Sequence, residues 1–454
     1  MSAPEVKLEM TTDAREIAYD VTRRVNSKGG YLGLLLRYGL DRSGLDPRDR
    51  SLVTDLAYGV QRHRNRLDHI IAAFSLRPRH ELDPEVLDIL RLGIYQLSET
   101  GTPPHAAVNE TVGVAKRRLG AGAASFVNAV MRRACAGLDD LSWPPREELS
   151  RYLETVYSHP RWLVDYLRRL LGDEAAEALC AADNTIPDLS LRVNTDRVDV
   201  PSLMEEILQD GRASRSPHLE EALVRVGMPH GHLVSILERG LCVVQDESSM
   251  LASHAVHPAP GSTVVDACAA PGGKATHLAQ LGGADCRVIA MDRNARRLRA
   301  LHGTIERLGI TNIEVREGDA TRLHDYVPGE VDAVLVDAPC SGLGTLQRNP
   351  ELRWRRLPED LARLSRVQLS LLEGCSESLR SGGALVYSVC TYSAEETLRV
   401  IEGFLEARRD YHLDDLSPHL PPSLSGEAAS GGHIQLMPHL HQMEGMFIAR
   451  LVRD

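Results

Sequence analysis

The second half of the chain alternates short apolar strands with helical segments, and this alternation restricts the possible folds more than any other feature of the sequence. Apolar runs predict five strands, at Thr263–Asp266, Arg287–Asp292, 312–316, 333–337 and 384–389. Continuous apolar strands separated by helices are typical of a parallel sheet that is covered on both faces. The sequence therefore predicts an α/β domain over residues 241–454, with a doubly wound, Rossmann-like sheet and a last strand at 446–451.

The residues before this domain predict two further domains. Apolar side chains recur at helical spacing through residues 12–140, as at Ile17, Val21 and Val25, which predicts an all-helical domain over residues 1–142. Residues 143–240 combine a predicted helix at 162–171 with a strand at Leu189–Val193, as expected of a small α+β connector. Within the last domain, proline, serine and glycine are frequent between residues 413 and 432, which favours a surface loop there.

The composition indicates the cellular compartment of the protein and the kinds of ligand it lacks. The first residues carry neither the basic stretch nor the apolar stretch of a secretory leader, and no apolar run reaches the roughly 20 residues that span a bilayer. Eight cysteines without a CxxC pair favour neither a zinc site nor a disulfide framework. We therefore expect a cytoplasmic protein without a membrane partner or a bound metal, and we expect most of its thiols to be buried and inert.

The charge of the chain gives a mixed signal about nucleic acids. A net charge of −11 argues against such a partner, but binding depends on local charge. Arginines cluster at residues 62–66, 117–118, 132–133 and 353–356. Any one cluster is most simply a solvated helix face, whereas several together are compatible with a phosphate-binding surface.

The clearest local signal is the turn that follows the first predicted strand. The strand ends at Asp266, and a helix is predicted from about Ala275. Small residues let the backbone between them approach a ligand closely, and the start of a helix offers unpaired N–H groups. The turn matches neither the GxGxxG dinucleotide pattern nor a Walker P-loop. Its residues, the cofactor loop, are Cys268, Ala269, Ala270, Pro271, Gly272, Gly273 and Lys274.

Acids at the ends of the next strands extend this candidate site. Asp292 ends the second strand and Asp319 follows the third, where carboxylates can accept hydrogen bonds from ribose hydroxyls and from an adenine amino group. A glycine-rich turn alone is a common structural feature, but the turn and both acids together predict a site for a nucleoside cofactor. Lys274 supports this interpretation, because it is one of only four lysines among 52 basic residues and differs from arginine in shape and hydration.

The eight cysteines differ in their positions relative to the predicted strands. Ligands of open α/β sheets bind at the carboxyl ends of the strands, and only Cys340 and Cys390 follow strands there outside the cofactor loop. Either thiol alone would most simply be a buried structural residue, but two at one edge beside a nucleoside site predict catalysis. Ser393 and Glu396 form a capping-box signal for a following helix, so Cys390 is expected on a tight strand-to-helix turn.

Paired thiols suit methylation of a pyrimidine carbon. A thiolate that adds to C6 of cytosine makes C5 nucleophilic enough to attack a methyl sulfonium, and elimination of the thiol later releases the product. The thiol pKa of about 8.5 must be lowered, or a base supplied. Asp337, which ends the strand before Cys340, is placed to stabilise charge at N3 of the ring, either as a protonated acid or through hydrogen bonding. Sequence position leaves open which of the two cysteines attacks.

Several motifs resemble those of the bacterial 16S ribosomal RNA cytosine-5 methyltransferases of the RsmB/Sun/Fmu family. They are DACAAPGGKAT at 266–276, DAPCSGLGT at 337–345 and YSVCTYSAEE at 387–396. Residues 52–60, 105–111 and 126–132 resemble the helical NusB-like domain at the N-terminus of that family, and residues 158–164 and 245–249 resemble its connecting region. The likeness extends over nearly the whole chain, and it implies a class I methyltransferase fold for the last domain.

The resemblance also implies a role for each candidate residue. The cofactor loop, with Asp292, Asp319 and Asp337, would bind S-adenosylmethionine, which would leave as S-adenosylhomocysteine. Cys390 would be the nucleophile, and Cys340 would assist release of the product. The partner would be RNA, most directly 16S ribosomal RNA bound with the help of the NusB-like domain, and we expect the protein to be a monomer.

Two other functions are compatible with the sequence. A methyltransferase with the same chemistry could act on transfer RNA, and a chain with an inactive site could serve as an RNA-binding factor. The intact cysteine pair and acids disfavour the inactive factor, which would need none of them. The NusB-like region favours ribosomal RNA by analogy.

Overall fold

The computed structural model describes residues 12–428 and 431–454, which form two compact units. The first unit contains the described residues up to Thr185 and, from the second half of the chain, Leu346–Arg356. The second contains Ile186–Thr345 and Leu357–Asp454, apart from the two residues outside the description. Over the described part of the chain, each helix is too short or too polar to cross a bilayer.

The first unit is built from helices that bury apolar side chains against one another. Ile17, Val21 and Val25 are buried together, as their helical spacing requires. Aspartate side chains accept hydrogen bonds from backbone N–H groups at the starts of three helices, which fixes where those helices begin. The predicted helical character of this region is confirmed. Its helices are α1 (Ala14–Lys28), α2 (Leu32–Ser43), α3 (Pro47–Arg62), α4 (Arg64–Phe74), α5 (Pro84–Ser98), α6 (Pro104–Leu119), α7 (Ala121–Gly137), α8 (Leu149–Val156), α9 (Arg161–Leu171) and α10 (Asp173–Ala182).

The second unit begins with a small antiparallel sheet of four strands in the order β2-β3-β1-β4. Leu191 and Leu223 from the sheet pack with Leu203 and Ile207 from a helix, so the sheet and its helices share one small core. The elements are β1 (Leu189–Val193), α11 (Val200–Leu208), β2 (Arg212–Arg215), β3 (Ala222–Gly227), α12 (His230–Glu238) and β4 (Cys242–Val244).

A larger sheet of eight strands follows in the order β10-β12-β9-β8-β5-β6-β7, with β11 paired to β12. Strands β5 to β9 are parallel, whereas β12 runs antiparallel to β9 and β10 runs antiparallel to β12. The sheet is therefore mixed, because antiparallel strands extend the predicted parallel sheet at one edge. The elements are α13 (Glu247–Val256), β5 (Thr263–Asp266), α14 (Gly273–Gly282), β6 (Arg287–Asp292), α15 (Ala295–Leu308), β7 (Ile313–Glu317), α16 (Leu323–Tyr326), β8 (Val331–Asp337), α17 (Leu352–Arg355, within the first unit), α18 (Pro358–Ser376), β9 (Leu379–Val389), α19 (Leu398–Ala407), β10 (Tyr411–Leu413), α20 (Pro422–Ala428), β11 (His433–Leu436), α21 (Pro438–His441) and β12 (Met446–Arg453).

Successive residues of the central strands face two different layers of helices. Val264 and Leu335 pack in one core with side chains of α13 and α14, while Val265 and Val334 pack in another with side chains of α18 and α19. A strand buried on both faces must be apolar throughout, which explains the continuous apolar runs. The predicted doubly wound α/β fold class is confirmed.

The segment 413–432 is not the surface loop that its composition favoured. It contains a 3-10 turn at Ser417–His419 and the helix α20, and four of its apolar residues are buried: Leu416, Leu420, Leu424 and Ala428. They recur every four residues, and all four pack into the same core as α13. The frequent proline and serine concealed this spacing. Residues 429–430 lie outside the described part of the chain.

Candidate active site

The candidate site lies at the carboxyl edge of the parallel strands. Strands β5, β6 and β8 end at Asp266, Asp292 and Asp337, and Cys390 directly follows β9. Parallel pairing brings these ends to one edge, where Asp337 is in register with Ser388, two residues before Cys390. The structure thus places the acids and the cysteines that the sequence singled out along one side of the sheet.

The cofactor loop joins β5 to α14, which begins at Gly273, two residues earlier than expected. Gly272 has a φ of 113°, and a Cβ atom there would lie 2.4 Å from Cδ1 of Leu301. Only glycine satisfies both conditions. Ala269 and Ala270 are buried, and the N–H of Ala269 donates to the carbonyl of Met291 at 2.8 Å, so the loop is tied to the end of β6.

Lys274, at the start of α14, forms an ion pair with Asp337. Its Nζ lies 2.9 Å from Oδ2 of Asp337, and Oδ1 of the same carboxylate accepts a hydrogen bond from Oγ of Ser388 at 2.9 Å. Burial lowers the pKa of Lys274, but the charge and hydrogen bond of Asp337 outweigh it, so that the pKa is raised overall. The ammonium group is therefore charged, and both oxygens of Asp337 are engaged.

Asp266 is a functional candidate that the predicted set of site residues lacked. It is 1% exposed, its Oδ2 has no hydrogen-bond partner, and its pKa is raised to about 7 by burial and then by the nearby Asp337. A buried acceptor without a partner is costly, so this oxygen is available to a donor or cation on a ligand. Its place at the end of a strand, like that of Asp292, was the signal in the sequence.

Asp292 and Asp319 are held by their own loops. Oδ1 of Asp292 accepts from the N–H of Asn294 at 2.9 Å, and Oδ1 of Asp319 accepts from the N–H and Oγ1 of Thr321 at 3.1 and 2.8 Å. The hydrogen bonds from Thr321 lower the pKa of Asp319. Together with Asp266, these oriented acceptors fit a ligand with ribose hydroxyls, amino groups and a positive charge.

Cys340 and Cys390 face each other at this edge, with their Sγ atoms 3.2 Å apart. Both side chains are partly exposed, so a ligand can reach them. The hydrogen bond with Cys390, followed by burial, raises the pKa of Cys340 well above its usual range. Cys340 therefore retains its proton under conditions in which an ordinary thiol loses it.

Glu396 behaves differently from the predicted capping box. The chain after Ser393 first forms a 3-10 turn, Ala394–Glu396, and α19 begins only at Leu398. Instead of returning to the backbone N–H of Ser393, the carboxylate of Glu396 accepts hydrogen bonds from the N–H of Ser341, next to Cys340, and from Oγ of Ser393. Cys390 directly follows β9, but residues 390–397 separate the strand from α19, so the connection is not the tight strand-to-helix turn that was expected, and a contact across the site takes the place of the helix cap.

The arginine clusters are largely structural. Arg62 and Arg353 are buried, and the Arg353 guanidinium donates to the carbonyls of Ser158 and Asp183 and to Oδ1 of Asn184. The paired arginines at 117–118 form ion pairs with acids of α1 and its cap, Asp13, Glu16 and Asp20. Neither a solvated helix face nor a phosphate-binding surface describes Arg62 or Arg353, because buried guanidinium groups bind backbone carbonyls.

Glu221, His254 and His277 form a second cluster, whose side chains are of the types that bind metals. Oε1 of Glu221 accepts from Nε2 of His254 at 2.7 Å and from Nε2 of His277 at 3.0 Å, and burial lowers the pKa of His277 to about 3. Nδ1 of His277 is buried without a partner, whereas a metal-bound imidazole usually donates from its second nitrogen. The contacts are those of a hydrogen-bonded carboxylate.

Known protein families match three successive parts of the chain. Residues 12–135 match the NusB family, residues 159–226 match the ferredoxin-like domain of RsmF/B-like methyltransferases, and residues 253–452 match the 16S rRNA methyltransferase RsmB/F family. The three matches follow the order of the helical region, the small sheet and the large sheet.

Individual relatives resemble the chain over nearly its full length. The probable ribosomal RNA small subunit methyltransferase B of Synechocystis is 36% identical, over 96% of this chain and 99% of its own length. Its counterpart in Bacillus subtilis is 34% identical, over 97% and 98%. The crystal structure of PH0851 has a TM-score of 0.81 and 26% identity, and the match covers 99% of this chain and 100% of that one. The chain therefore belongs to the ribosomal RNA small subunit methyltransferase B family.

Proposed function

We propose that the protein transfers the methyl group of S-adenosylmethionine to carbon 5 of a cytosine in 16S ribosomal RNA, through a covalent adduct between Cys390 and carbon 6 of the ring. The observation that carries this proposal is the pair of cysteine sulfurs 3.2 Å apart, at the sheet edge that also holds the acids and the cofactor loop. Methylation of a nitrogen or a hydroxyl group requires no thiol, whereas methylation of a pyrimidine carbon requires a nucleophile to activate the ring.

The residues at the edge suit the two ends of the cofactor. The unpartnered Oδ2 of Asp266 can accept from the ammonium group of its methionine part, and Asp292 can accept from its ribose hydroxyls. Asp319, which follows the next strand, can accept from the adenine amino group. When bound, S-adenosylmethionine supplies an electrophilic methyl group.

Electrostatics favour Cys390 as the nucleophile. Cys340 keeps its proton because its pKa is raised well above the usual range, which suits it to donate a hydrogen bond rather than to attack the ring. Cys390 is among the groups that raise the pKa of Lys274, so the charged ammonium group lies within electrostatic reach of the Cys390 sulfur. The carboxylate of Asp337 keeps Lys274 charged and in place.

The reaction then proceeds through four changes of bonding. The Cys390 sulfur bonds to C6, the C5–C6 double bond opens, and N3 takes a proton from solvent that Asp337 can hold by a hydrogen bond. C5 attacks the methyl carbon, and the bond from that carbon to the sulfonium sulfur breaks, which leaves S-adenosylhomocysteine. The C5 proton leaves to solvent, and the C6–sulfur bond breaks as the double bond re-forms and N3 releases its proton. A hydrogen bond from the Cys340 thiol stabilises the departing Cys390 thiolate, which assists release.

Transfer of labelled methyl groups to unmodified small-subunit ribosomal RNA tests this proposal. We expect the wild type to form 5-methylcytosine, Cys390→Ala to form none, and Cys340→Ala to accumulate a covalent complex of protein and RNA. Cys135→Ala is the matched control, because Cys135 is an exposed cysteine of α7. RNA that carries 5-fluorocytosine at the target should trap the wild type, since fluorine cannot leave C5 as a proton does.

The alternative outcomes separate the competing functions. Label on transfer RNA but not on ribosomal RNA would identify transfer RNA as the substrate and leave the proposed chemistry unchanged. Label on a cytosine nitrogen, or full activity of Cys390→Ala, would contradict the covalent mechanism. Binding of S-adenosylmethionine and RNA without any transfer would support an inactive RNA-binding factor.

A further inference from the structure

Glu396 is a buried acid that the proposed reaction does not use. Its side chain is 0% exposed, and it follows Cys390 by six residues, in the 3-10 turn before α19. Among the described contacts of its carboxylate, each partner is a neutral donor. A carboxylate in such a place is expensive to bury, so its hydrogen bonds should have a specific purpose.

The carboxylate connects three segments of the site. Oε1 accepts from the N–H of Ser341 at 2.8 Å and from Nε2 of Gln368 at 3.0 Å, and Oε2 accepts from Oγ of Ser393 at 2.7 Å. The same Nε2 of Gln368 donates to the carbonyl of Pro339 at 3.0 Å. Cys340 therefore lies between two residues, Pro339 and Ser341, whose backbones are both held by this network.

Two more hydrogen bonds tie the loop of Cys340 to the loop of Cys390. Oγ of Ser341 lies 2.9 Å from Oγ1 of Thr391, and the N–H of Gly344 donates to the carbonyl of Cys390 at 3.0 Å. These contacts join residues that follow Cys340 to Cys390 itself and to the residue after it. Glu396 is the member of the network that contacts both loops, since its carboxylate accepts from Ser341 and from Ser393.

We propose that Glu396 is a positioning residue: by joining the backbone beside Cys340 to the turn after Cys390, its carboxylate sets the separation of the two sulfur atoms. The proposal rests on the function proposed above, in which both thiols act on one cytosine. The positioning role depends on the length of the glutamate side chain and not on its charge, because the connection is made by hydrogen bonds to fixed backbone and side-chain groups.

Two substitutions distinguish the effect of the length of the Glu396 side chain from the effect of its charge. Glu396→Gln keeps the length of the side chain, since its amide oxygen can accept from Ser341 and Gln368 while its NH₂ group donates to the Ser393 hydroxyl. Glu396→Asp keeps the charge but is shorter by one methylene, about 1.5 Å, so it cannot hold Ser341 and Ser393 at once. Glu395→Gln is the matched control, because Glu395 is the neighbouring acid and pairs with Arg399.

The separation of the sulfurs can be measured without methyl transfer. Diamide takes two electrons and two protons from a pair of nearby thiols and is reduced to the hydrazine, which leaves a disulfide detectable by peptide mass. We expect the wild type, Glu396→Gln and Glu395→Gln to form the Cys340–Cys390 disulfide at equal rates, and Glu396→Asp to form it about tenfold more slowly. In methyl transfer, Glu396→Asp should lower kcat about 10- to 100-fold with little change in KM for the cofactor, and Glu396→Gln should restore it.

Each result decides the proposal. Fast disulfide formation and normal kcat in Glu396→Asp would overturn it. Slow disulfide formation in Glu396→Gln would also overturn it, because the charge of the side chain, and not its length, would then matter. If Glu396→Asp does not fold, Gln368→Met, which removes the donor to both Glu396 and Pro339, must show the same slow disulfide formation, and a wild-type rate would overturn the proposal. If the wild type methylates no RNA, the proposed function fails, but the disulfide rates still test the role of Glu396.

Discussion

The sulfur atoms of Cys340 and Cys390 lie 3.2 Å apart, although fifty positions separate the two residues in the chain. The contact exists because β8 and β9, which precede them, are neighbouring parallel strands with Asp337 opposite Ser388. One consequence is chemical: the hydrogen bond with Cys390 is the largest cause of the raised pKa of Cys340.

Alkylation should reveal the raised pKa of Cys340. Iodoacetamide reacts with thiolates, so Cys340 of the wild type should become labelled only at a pH well above that of an ordinary thiol, as measured by peptide mass between pH 7 and 11. In Cys390→Ala the largest cause of the raised pKa is removed, and labelling of Cys340 should begin at lower pH. Exposed Cys135 is the internal control for reagent access. An unchanged pH for Cys340 in the variant would contradict the coupling.

Asp266 should make the stability of the protein depend on pH. Its pKa in the folded protein, about 7, is above its unfolded value of about 3.9. The folded state therefore holds this proton more tightly, and the stabilisation is complete below the unfolded pKa and is lost as the pH rises through about 7. Relative to Asp266→Asn, the wild type should lose a few kcal/mol between pH 4 and 8 in urea unfolding, since each pKa unit corresponds to about 1.4 kcal/mol. Parallel profiles for both proteins would contradict this.

The same group should control the binding of S-adenosylmethionine. Ionised Asp266 is the better acceptor for a positively charged ligand, so the affinity should rise from pH 6 to pH 8, by at most tenfold per pH unit below the pKa. Calorimetric titration of Asp266→Asn should give weaker binding with a flatter pH profile. A wild-type profile in this variant would mean that the unpartnered Oδ2 does not contact the cofactor.

Arg353 should be among the most important residues for the stability of the first unit. Its guanidinium is fully buried and satisfies three acceptors of residues 158–184. Arg353→Met keeps much of the volume but leaves these acceptors without donors, which should lower the free energy of unfolding by about 2–4 kcal/mol. Arg37→Ala is the control, because its side chain is 83% exposed and its removal should change stability by less than about 0.5 kcal/mol. Equal effects would argue against the buried network.

Substitution of Leu424 tests whether residues 413–432 contribute to the core. A leucine on a surface loop is dispensable, whereas Leu424 is 2% exposed and packs in the core. Leu424→Ala should therefore cost about 2–4 kcal/mol in chemical denaturation. Ser425→Ala, at the adjacent and only partly buried position, should have little effect. If both variants unfold like the wild type, the buried apolar residues of this segment do not stabilise the fold.

The sequence by itself determined the family, the fold class and the class of enzyme. Each is confirmed: a helical region precedes a doubly wound α/β domain, and the chain is a member of a family of S-adenosylmethionine-dependent RNA methyltransferases. These features were predictable because they depend on local patterns. The strands Thr263–Asp266 and Arg287–Asp292 were predicted with the bounds that the structure has, since apolar runs that end in an acid mark the edge of a buried sheet. The positions of Cys340 and Cys390 after their strands followed in the same way.

Only the tertiary structure decided which side chains meet. The sequence indicated a helix cap for Glu396, yet its carboxylate accepts from Ser341, 55 positions away, and Arg353 is buried among carbonyls instead of being solvated. A helix cap for Glu396 and a solvated helix face for Arg353 are the arrangements that the local sequence predicts. They do not form because distant segments provide hydrogen-bond partners for both side chains at buried positions. That competition depends on the order of strands in the sheet and on which segments pack together, and neither is encoded in the spacing of neighbouring residues.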